Sequence, residues 1–593
     1  MKKAITNGAL ALAWKSLIWV WVAGAIVGVL TGWNIGQAIA GGKAEWNPFA
    51  LAGGLLAGSL AWGLPATIFA VVFAVAVSAG AGALFWVLPP VEDKDAPEEP
   101  KAREGLAGHD DLAPRVGKEA AVATARQSLT LPENVEEDDV VTTLCTLDGE
   151  PVYFQHEDSM WVFAPQRSGK TLWLAVGILI DAPGAVIATS TKIDLFLLTA
   201  LMRSGTLEAP RPVLVFDLQG ISGWPKELRW DPIAGCKDPD EAMARGKAWA
   251  GAQPMGDVKN GDWFNSKASA VLARYLHAAA LEGKTMNEVL DWANDFTDTE
   301  PLEILQRHSP GFAKRLAKLI DSRAGETIDS VQETLLGLLE PLYSPKAMET
   351  LTPGPGAGFD VEEFLDARGT LYLLTDGEES PVAPIVTMFA DHLFRKAQKI
   401  SQSRPGGRLW PPLTMVLDEA PNTAAFPNMA SALSDSGGRG IRIIGFSQSF
   451  AQNRGRWGET PAEMIRGTSS VRMILPGLEE HRELDRVAAA AGVRMVERKS
   501  RSVTDGKETI TYREEEVPVI RGSEIQQMKR GEAFMHHTNL PPTIVDLIPY
   551  WERPDGEEIK ARKKVLEEYL LSGNVAEQNI PQYAQTTEEE SAT

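Results

Sequence analysis

The octapeptide Ala164-Pro165-Gln166-Arg167-Ser168-Gly169-Lys170-Thr171 lies between the apolar run Met160 to Phe163 and the apolar segment Leu172 to Ile180. That pattern is strand, tight loop, helix, and it commits the chain to an α/β core in which a buried strand feeds a helix N-terminus. Gly-Lys-Thr at the turn gives the loop its chemistry. Backbone N–H groups around Arg167, Ser168 and Gly169 and the positive end of the helix face an anion, Lys170 reaches terminal phosphates, and the Thr171 hydroxyl is a magnesium ligand. Ala164 stands where this phosphate-loop pattern has its first glycine, a departure of one methyl group. ATP with Mg2+ is the expected cofactor.

A nucleotide hydrolase also needs carboxylates. Leu413 to Leu417 reads as a buried strand and runs straight into Asp418-Glu419-Ala420. Asp418 is expected to hold the magnesium shell opposite Thr171, and Glu419 to orient and deprotonate the attacking water. An apolar strand ending in Asp-Glu is weak evidence alone; joined to the phosphate loop it becomes specific. A third strand, Ile441 to Gly445, leads into Phe446-Ser447-Gln448-Ser449, where Gln448 is expected to sense the terminal phosphate. A solvated helix-capping glutamine is the bland alternative. Arg439, in the loop Ser436-Gly437-Gly438-Arg439-Gly440, is a candidate arginine finger for a neighbouring subunit, or equally a solvated loop arginine.

Between these motifs the periodicity changes. Residues 151–235 alternate short apolar strands (Met160 to Phe163, Ala185 to Thr189, Pro212 to Phe216) with helices, as a parallel sheet requires. Residues 236–345 carry only helical spacing, as in Ala268-Val271-Leu272-Tyr275-Leu276-Ala279 and Phe312-Leu316-Leu319-Ile320. This is an all-α insertion, and it accounts for the long gap between Lys170 and Asp418. Strands resume across 346–555 at Thr370 to Leu374, Leu413 to Leu417, Ile441 to Gly445, Val471 to Leu475 and Ala533 to His536. Arg498 to Arg513 reads as a hairpin turning at Asp505-Gly506. Residues 91–150 are a polar linker and approach to this core, and 556–593 a C-terminal tail.

The first 90 residues differ from the rest. Leu17 to Ala40 carries no charge over 24 residues, long enough to span a bilayer. Ala50 to Leu88 is uncharged too, with Leu64 to Trp86 the best span and Leu51 to Gly63 at the interface. Lys2, Lys3 and Lys15 precede the first span, which puts the N-terminus in the cytoplasm. Two spans then return the chain to the side where ATP is. A cleaved signal peptide ending near Ala38-Ile39-Ala40 is the competing reading. It would leave a nucleotide site outside, and its apolar core is overlong. Gly24, Gly28, Gly32 and Gly36 form a small-residue stripe suited to close helix contact.

Net charge is −21, from 58 basic and 79 acidic residues, so the surface as a whole is no nucleic-acid binder and any DNA contact must be confined to a groove or channel. Two cysteines, Cys145 and Cys236, exclude a disulfide framework and a cysteine zinc site within one chain. His536 and His537 are neighbours in an expected strand and face opposite ways.

In order along the chain stand Gly169-Lys170-Thr171, Ala188-Thr189-Ser190-Thr191-Lys192, Val215-Phe216-Asp217, Trp230-Asp231-Pro232, Leu417-Asp418-Glu419-Ala420, Gly438-Arg439-Gly440-Ile441, Ser447-Gln448-Ser449 and Leu475-Pro476-Gly477. Over about residues 150–550 this series resembles the TraG-like coupling ATPases of type IV secretion. The resemblance implies a RecA-like P-loop motor domain with an inserted all-α domain, preceded by two transmembrane helices in the cytoplasmic (inner) membrane. It implies a homo-hexamer when active, partnered by single-stranded DNA, a relaxase and the proteins of the secretion channel. It implies transfer of DNA in conjugation, driven by ATP. Two other readings stay open: a receptor and gate for exported protein, with ATP switching assembly, and an FtsK-type chromosome translocase. The second lacks a recognisable C-terminal winged-helix reader.

Overall fold

The computed structural model describes residues 105–128, 135–206, 209–252, 261–320, 325–354, 358–376, 380–504 and 507–572, with short pieces at 30–31, 33–35, 37–39, 46–47, 575–576 and 580–581. The chain divides into two compact units, Met1–Glu104 and Gly105–Thr593. Most of the first unit lies outside the described residues, with the second expected span, the glycine stripe and the linker after Pro89; of the first expected span only residues 30–31, 33–35 and 37–39 are described, as helix. No helix among the described residues is long and apolar enough to cross a membrane. The Asp505-Gly506 turn and the last residues of the tail also lie outside them.

The second unit is organised by one eleven-stranded sheet. Its strands are β1 (Val141–Leu147), β2 (Glu150–Gln155), β3 (Met160–Phe163), β4 (Val186–Ser190), β5 (Val213–Asp217), β6 (Thr370–Leu374), β7 (Leu413–Leu417), β8 (Ile441–Ser447) and β9 (Val471–Ile474), then β12 (Glu532–His537) and β13 (Thr543–Leu547) after a separate hairpin of β10 (Val493–Thr504) and β11 (Lys507–Pro518). The spatial order is β2-β1-β13-β12-β9-β3-β8-β7-β4-β6-β5. From β9 to β5 every neighbour is parallel. From β9 to β2 every neighbour is antiparallel.

The parallel strands are apolar almost throughout because both faces are covered: β4, β6, β7 and β8 are buried along their whole length. Alternate side chains feed two cores. Trp161, Phe163, Met415 and Leu417 face one, and Met160, Val162, Val416 and Ile444 the other. The helices Asp194–Arg203 and Gly556–Leu571 pack on the second face. On the first face packs a helical stretch from Pro239 to Thr350, and no strand intervenes between β5 and β6 among the described residues. Its long helix, Gly261–Glu282, buries Ala268, Val271, Leu272, Tyr275, Leu276 and Ala279.

Several local expectations need correction. Residues 105–150 are more than an approach. Helices at His109–Val116 and Lys118–Ser128 pack there, and β1 is a full member of the main sheet. The four antiparallel strands make the sheet mixed. The segment after 556 begins with a sixteen-residue helix packed on the core, whose apolar residues Ile559, Leu566 and Tyr569 are buried. The hairpin runs from Val493 to Pro518, several residues longer at each end than its sequence pattern suggests. In it Arg498 Nε pairs with Glu515 at 2.8 Å, which fits a solvated hairpin.

Candidate active site at the carboxyl edge of the parallel strands

In a parallel sheet all strand ends that carry loops toward one edge are C-termini, and ligands collect there. β3 lies between β9 and β8, and β7 is the next strand out. Register pairs Phe163 with Ser447 and Leu417 with Gly445, so the loops after β3, β7 and β8 emerge side by side. Residues nearly 250 positions apart are thereby brought together.

The phosphate loop leaves β3 at Ala164, which is fully buried and whose N–H donates to the Ser447 carbonyl at 2.8 Å. The loop is tight: Ser168 N–H donates back to Pro165 O at 3.2 Å, and Arg167 and Gly169 both have positive φ, 63° and 93°. A Cβ on Gly169 would lie 2.5 Å from the Trp173 ring, so this position admits only glycine. The following helix opens with a π-helical turn, Thr171–Ala175, before Val176–Asp181. Thr171 lies at its first position and is half-buried.

Lys170 points across the sheet edge. Its Nζ is 2.9 Å from Asp418 Oδ1 and 3.2 Å from Glu419 Oε1. Burial alone would lower the Lys170 pKa, but the two carboxylates outweigh it and hold it above the ordinary lysine value. Asp418 is raised above the usual carboxylate range, chiefly by burial and further by Glu419, with Lys170 offsetting part. The backbone here is fixed by hydroxyls: Thr189 and Thr423 Oγ1 both donate to the Asp418 carbonyl, at 3.1 and 2.7 Å. Glu419 adopts a left-handed conformation, φ 53° and ψ 48°, and it precedes the short helix Ala420–Thr423. A non-glycine residue held there stores strain that functional sites commonly carry.

The residue set fits a magnesium–nucleotide complex. Two buried polar atoms here have no hydrogen-bond partner among the described residues: Ser168 Oγ in the loop and Glu419 Oε2 after β7. Gln448 follows β8 beside the loop, and its N–H donates to Gln452 Oε1 at 2.8 Å. Arg439 is not brought to this edge. It precedes the N-terminal end of β8, at the opposite edge of the sheet, where its Nε pairs with Asp435 at 2.5 Å.

Other motif residues have structural tasks. Asp217 Oδ2 accepts from Ser222 N and Oγ at 2.7 and 2.9 Å, closing the turn after β5. Asp231 accepts from Ile233 N at 2.8 Å. Ser447 Oγ accepts from Trp161 Nε1 at 2.8 Å. His537 is buried, with Nε2 3.6 Å from Asp158, while His536 faces the other way.

Two residues near the loop had no sequence signal. Trp173 packs against Gly169, and it lies equally close to Gly531. Arg530, just before Gly531, places Nε 3.7 Å from where a Gly169 Cβ would be.

Residues 412–530 match a family model described as the TraM recognition site of TraD and TraG. The chain resembles the TraG-like coupling proteins. Its fold agrees with that resemblance. An unbound form of the bacterial conjugative coupling protein TrwB aligns with TM-score 0.53 at 16% identity, over 72% of this chain and 91% of that one. Plasmid coupling protein TrwB in complex with ADP and Mg2+ aligns with TM-score 0.51 at 15% identity, over the same shares, 72% and 91%. No curated protein matches the chain. The likeness to TrwB is a likeness of fold, and the matched family segment contains Asp418, Glu419, Arg439 and Gln448.

Proposed function

We propose that this chain is a membrane-anchored ATPase that couples a relaxase–DNA complex to a type IV secretion channel and drives single-stranded DNA through it in conjugation. The observation that carries the reading is the meeting of Lys170 with Asp418 and Glu419 at the mouth of the phosphate loop. TrwB, whose fold is similar, is described with ADP and Mg2+ and with a non-hydrolysable ATP analogue.

Bound magnesium and nucleotide supply a phosphoryl group whose charge the metal offsets. Thr171 and Asp418 are the residues that would hold the ion. With nucleotide bound, Lys170 would turn from its carboxylate partners to the phosphates and leave Glu419 free. Glu419, with an oxygen already unpartnered among the described residues, takes a proton from the attacking water. Gln448, which follows β8 beside the loop, would orient that water. Arg439 belongs to the reaction only across a subunit boundary, in a ring whose neighbour presents its own phosphate loop. The sequence pattern of residues 17–40 and 64–86 supports two spans with the motor domain in the cytoplasm.

The test is hydrolysis by the detergent-solubilised full chain with and without single-stranded DNA. Stimulation by DNA supports the pump. An assembled, hydrolysing protein that ignores DNA supports instead a receptor and gate for exported protein.

A further inference from the structure

A large cavity lies beside the nucleotide site. It is a cleft of ≈ 1410 Å³ between the helical insertion and the loops at the carboxyl edge of the sheet. A second hollow of ≈ 410 Å³ continues it, sharing Ser266, Ala270, Arg274 and Arg315 as common walls. Small-molecule sites run to about 300–1,000 Å³, so a groove of this extent suits a polymer.

Its charge is one-sided. Lys247 and Arg456 line the cleft, Lys267 and Lys318 line the hollow, and Arg274 and Arg315 line both. No acidic residue lines either one among the described residues, in a chain of net charge −21. Asp391, the carboxylate influenced by Lys247, is engaged with Arg395 at 2.8 Å. Arg274 is 5% exposed; among the described residues its guanidinium bonds the Ala270 carbonyl and lies over the Phe312 ring. Burial and Arg315 beside it both lower its pKa. Arg274 and Arg315 thus set two like charges side by side on one wall of the groove.

The groove also has an aromatic platform. Trp263 is 46% exposed, and the Lys267 ammonium lies 5.2 Å from its ring centroid. Trp263, Lys267, Ala270 and Arg274 recur at helical spacing on one face of Gly261–Glu282, while Val271, Leu272, Tyr275 and Leu276 hold the opposite face in the core. Cations that track a backbone beside an aromatic that stacks a base are the elements of single-strand binding.

We infer that this groove binds single-stranded nucleic acid, with Arg274, Arg315 and Lys318 on phosphates and Trp263 stacked on a base. The inference deepens the proposed function and rests on it. The wall of the cleft reaches the chemistry. Asn422 lines it and donates its N–H to the Glu419 carbonyl at 2.8 Å, and Gln452 lines it and accepts from Gln448 N at 2.8 Å. A strand in the groove therefore presses on the loops that carry the general base and its polar neighbour.

The experiment compares the full chain with Trp263→Ala and with the double variant Arg315→Glu/Lys318→Glu, all exposed positions outside the nucleotide site. Binding of a fluorescein-labelled oligo-dT is measured by anisotropy across salt concentrations, with hydrolysis in parallel. The double variant is expected to bind at least tenfold more weakly and with a shallower salt slope, by about 0.7 for each phosphate that is no longer neutralised. Trp263→Ala is expected to bind about fivefold or more weakly, and both variants keep basal hydrolysis and lose its stimulation by oligo-dT. An oligonucleotide carrying 5-iodouracil should cross-link to the peptide containing Trp263. Wild-type affinity and salt slope in both variants overturn the groove while leaving the motor reading intact. A wild-type chain that hydrolyses ATP and binds no oligo-dT overturns both. Loss of polyglutamate binding in the variants, with oligo-dT binding unchanged, reassigns the groove to an acidic peptide and also overturns the inference.

Discussion

Lys170 Nζ stands 2.9 Å from Asp418 Oδ1 across the carboxyl edge of the sheet, and the same ammonium reaches Glu419 Oε1 at 3.2 Å. One cation thus holds together the two carboxylates that the proposed reaction must separate, Asp418 for the ion and Glu419 for water. Lys170 and Glu419 therefore have distinct expected phenotypes.

Lys170→Ala removes the phosphate contact and leaves two buried carboxylates without their counter-ion. Hydrolysis is expected to fall by about 10²-fold or more, and conjugative transfer with it. Membrane insertion should be unaffected. Transfer at normal frequency from a strain carrying only this variant would refute the motor.

Glu419→Gln keeps the shape and removes the base. Turnover should fall by about 10²-fold while ATP affinity holds, because Asp418 and Thr171 remain to hold magnesium. Equilibrium binding of a fluorescent nucleotide separates the outcomes. Collapse of affinity would make Glu419 a metal ligand or a structural residue.

Gly169→Ala places a methyl group 2.5 Å from the Trp173 ring on a backbone with φ 93°. A strained loop of this kind costs about 1–3 kcal/mol, so nucleotide affinity and the unfolding temperature should both drop. Adding Trp173→Ala removes the clash but not the unfavourable φ, and should recover part of the loss. Unchanged affinity in the single variant would show that the loop has another conformation.

The imidazole of His392 is pushed down to about 4, mainly by burial, with Arg245 beside it. The unfolded chain binds this proton near pH 6.5, the ordinary histidine value, and the folded chain does not. The stabilisation is therefore complete above about pH 6.5 and is lost as pH falls toward about 4. Urea titrations of the full chain across that window should show the decline, and His392→Gln should make it shallower. A variant with the same slope would place the titration elsewhere, for example at His536, which burial and Arg472 also push down to about 4.

Arg439 lies at the far edge of the sheet from the phosphate loop, so Arg439→Ala should leave nucleotide binding by each subunit unchanged. If the arginine acts on a neighbour, hydrolysis should fall by about 10³-fold. Mixing it with Lys170→Ala subunits should then restore some activity, since mixed interfaces recover an intact site. Loss of activity without complementation would remove Arg439 from the reaction.

The strands that build the site were legible because a parallel strand covered on both faces must be apolar along its length: Met160–Phe163, Thr370–Leu374 and Leu413–Leu417 have the bounds their composition gives. The phosphate loop was legible because glycine, lysine and a hydroxyl at fixed spacing have a local cause. β1, β2 and β13 were hidden. They are mixed in polarity; β1 and β2 form a local hairpin across Asp148-Gly149 in an otherwise polar stretch, while the pairing of β1 with β13, as in Cys145 with Leu547, joins residues about 400 positions apart with no local signature.

Residue types and spacing alone specify the chemistry, since Lys170, Thr171, Asp418 and Glu419 are the groups a phosphoryl-transfer site needs, and they specify that a helical insertion separates them. Which groups meet depends on the fold in space. Strand order placed β8 between β3 and β7, which set Gln448 beside the loop and left Arg439 at the other edge. Packing also turned one helix so that its apolar face entered the core while Trp263, Lys267 and Arg274 lined a groove with Arg315 and Arg456. Periodicity reports which face of a helix is buried. The neighbours of the other face depend on long-range packing, and no local spacing records them.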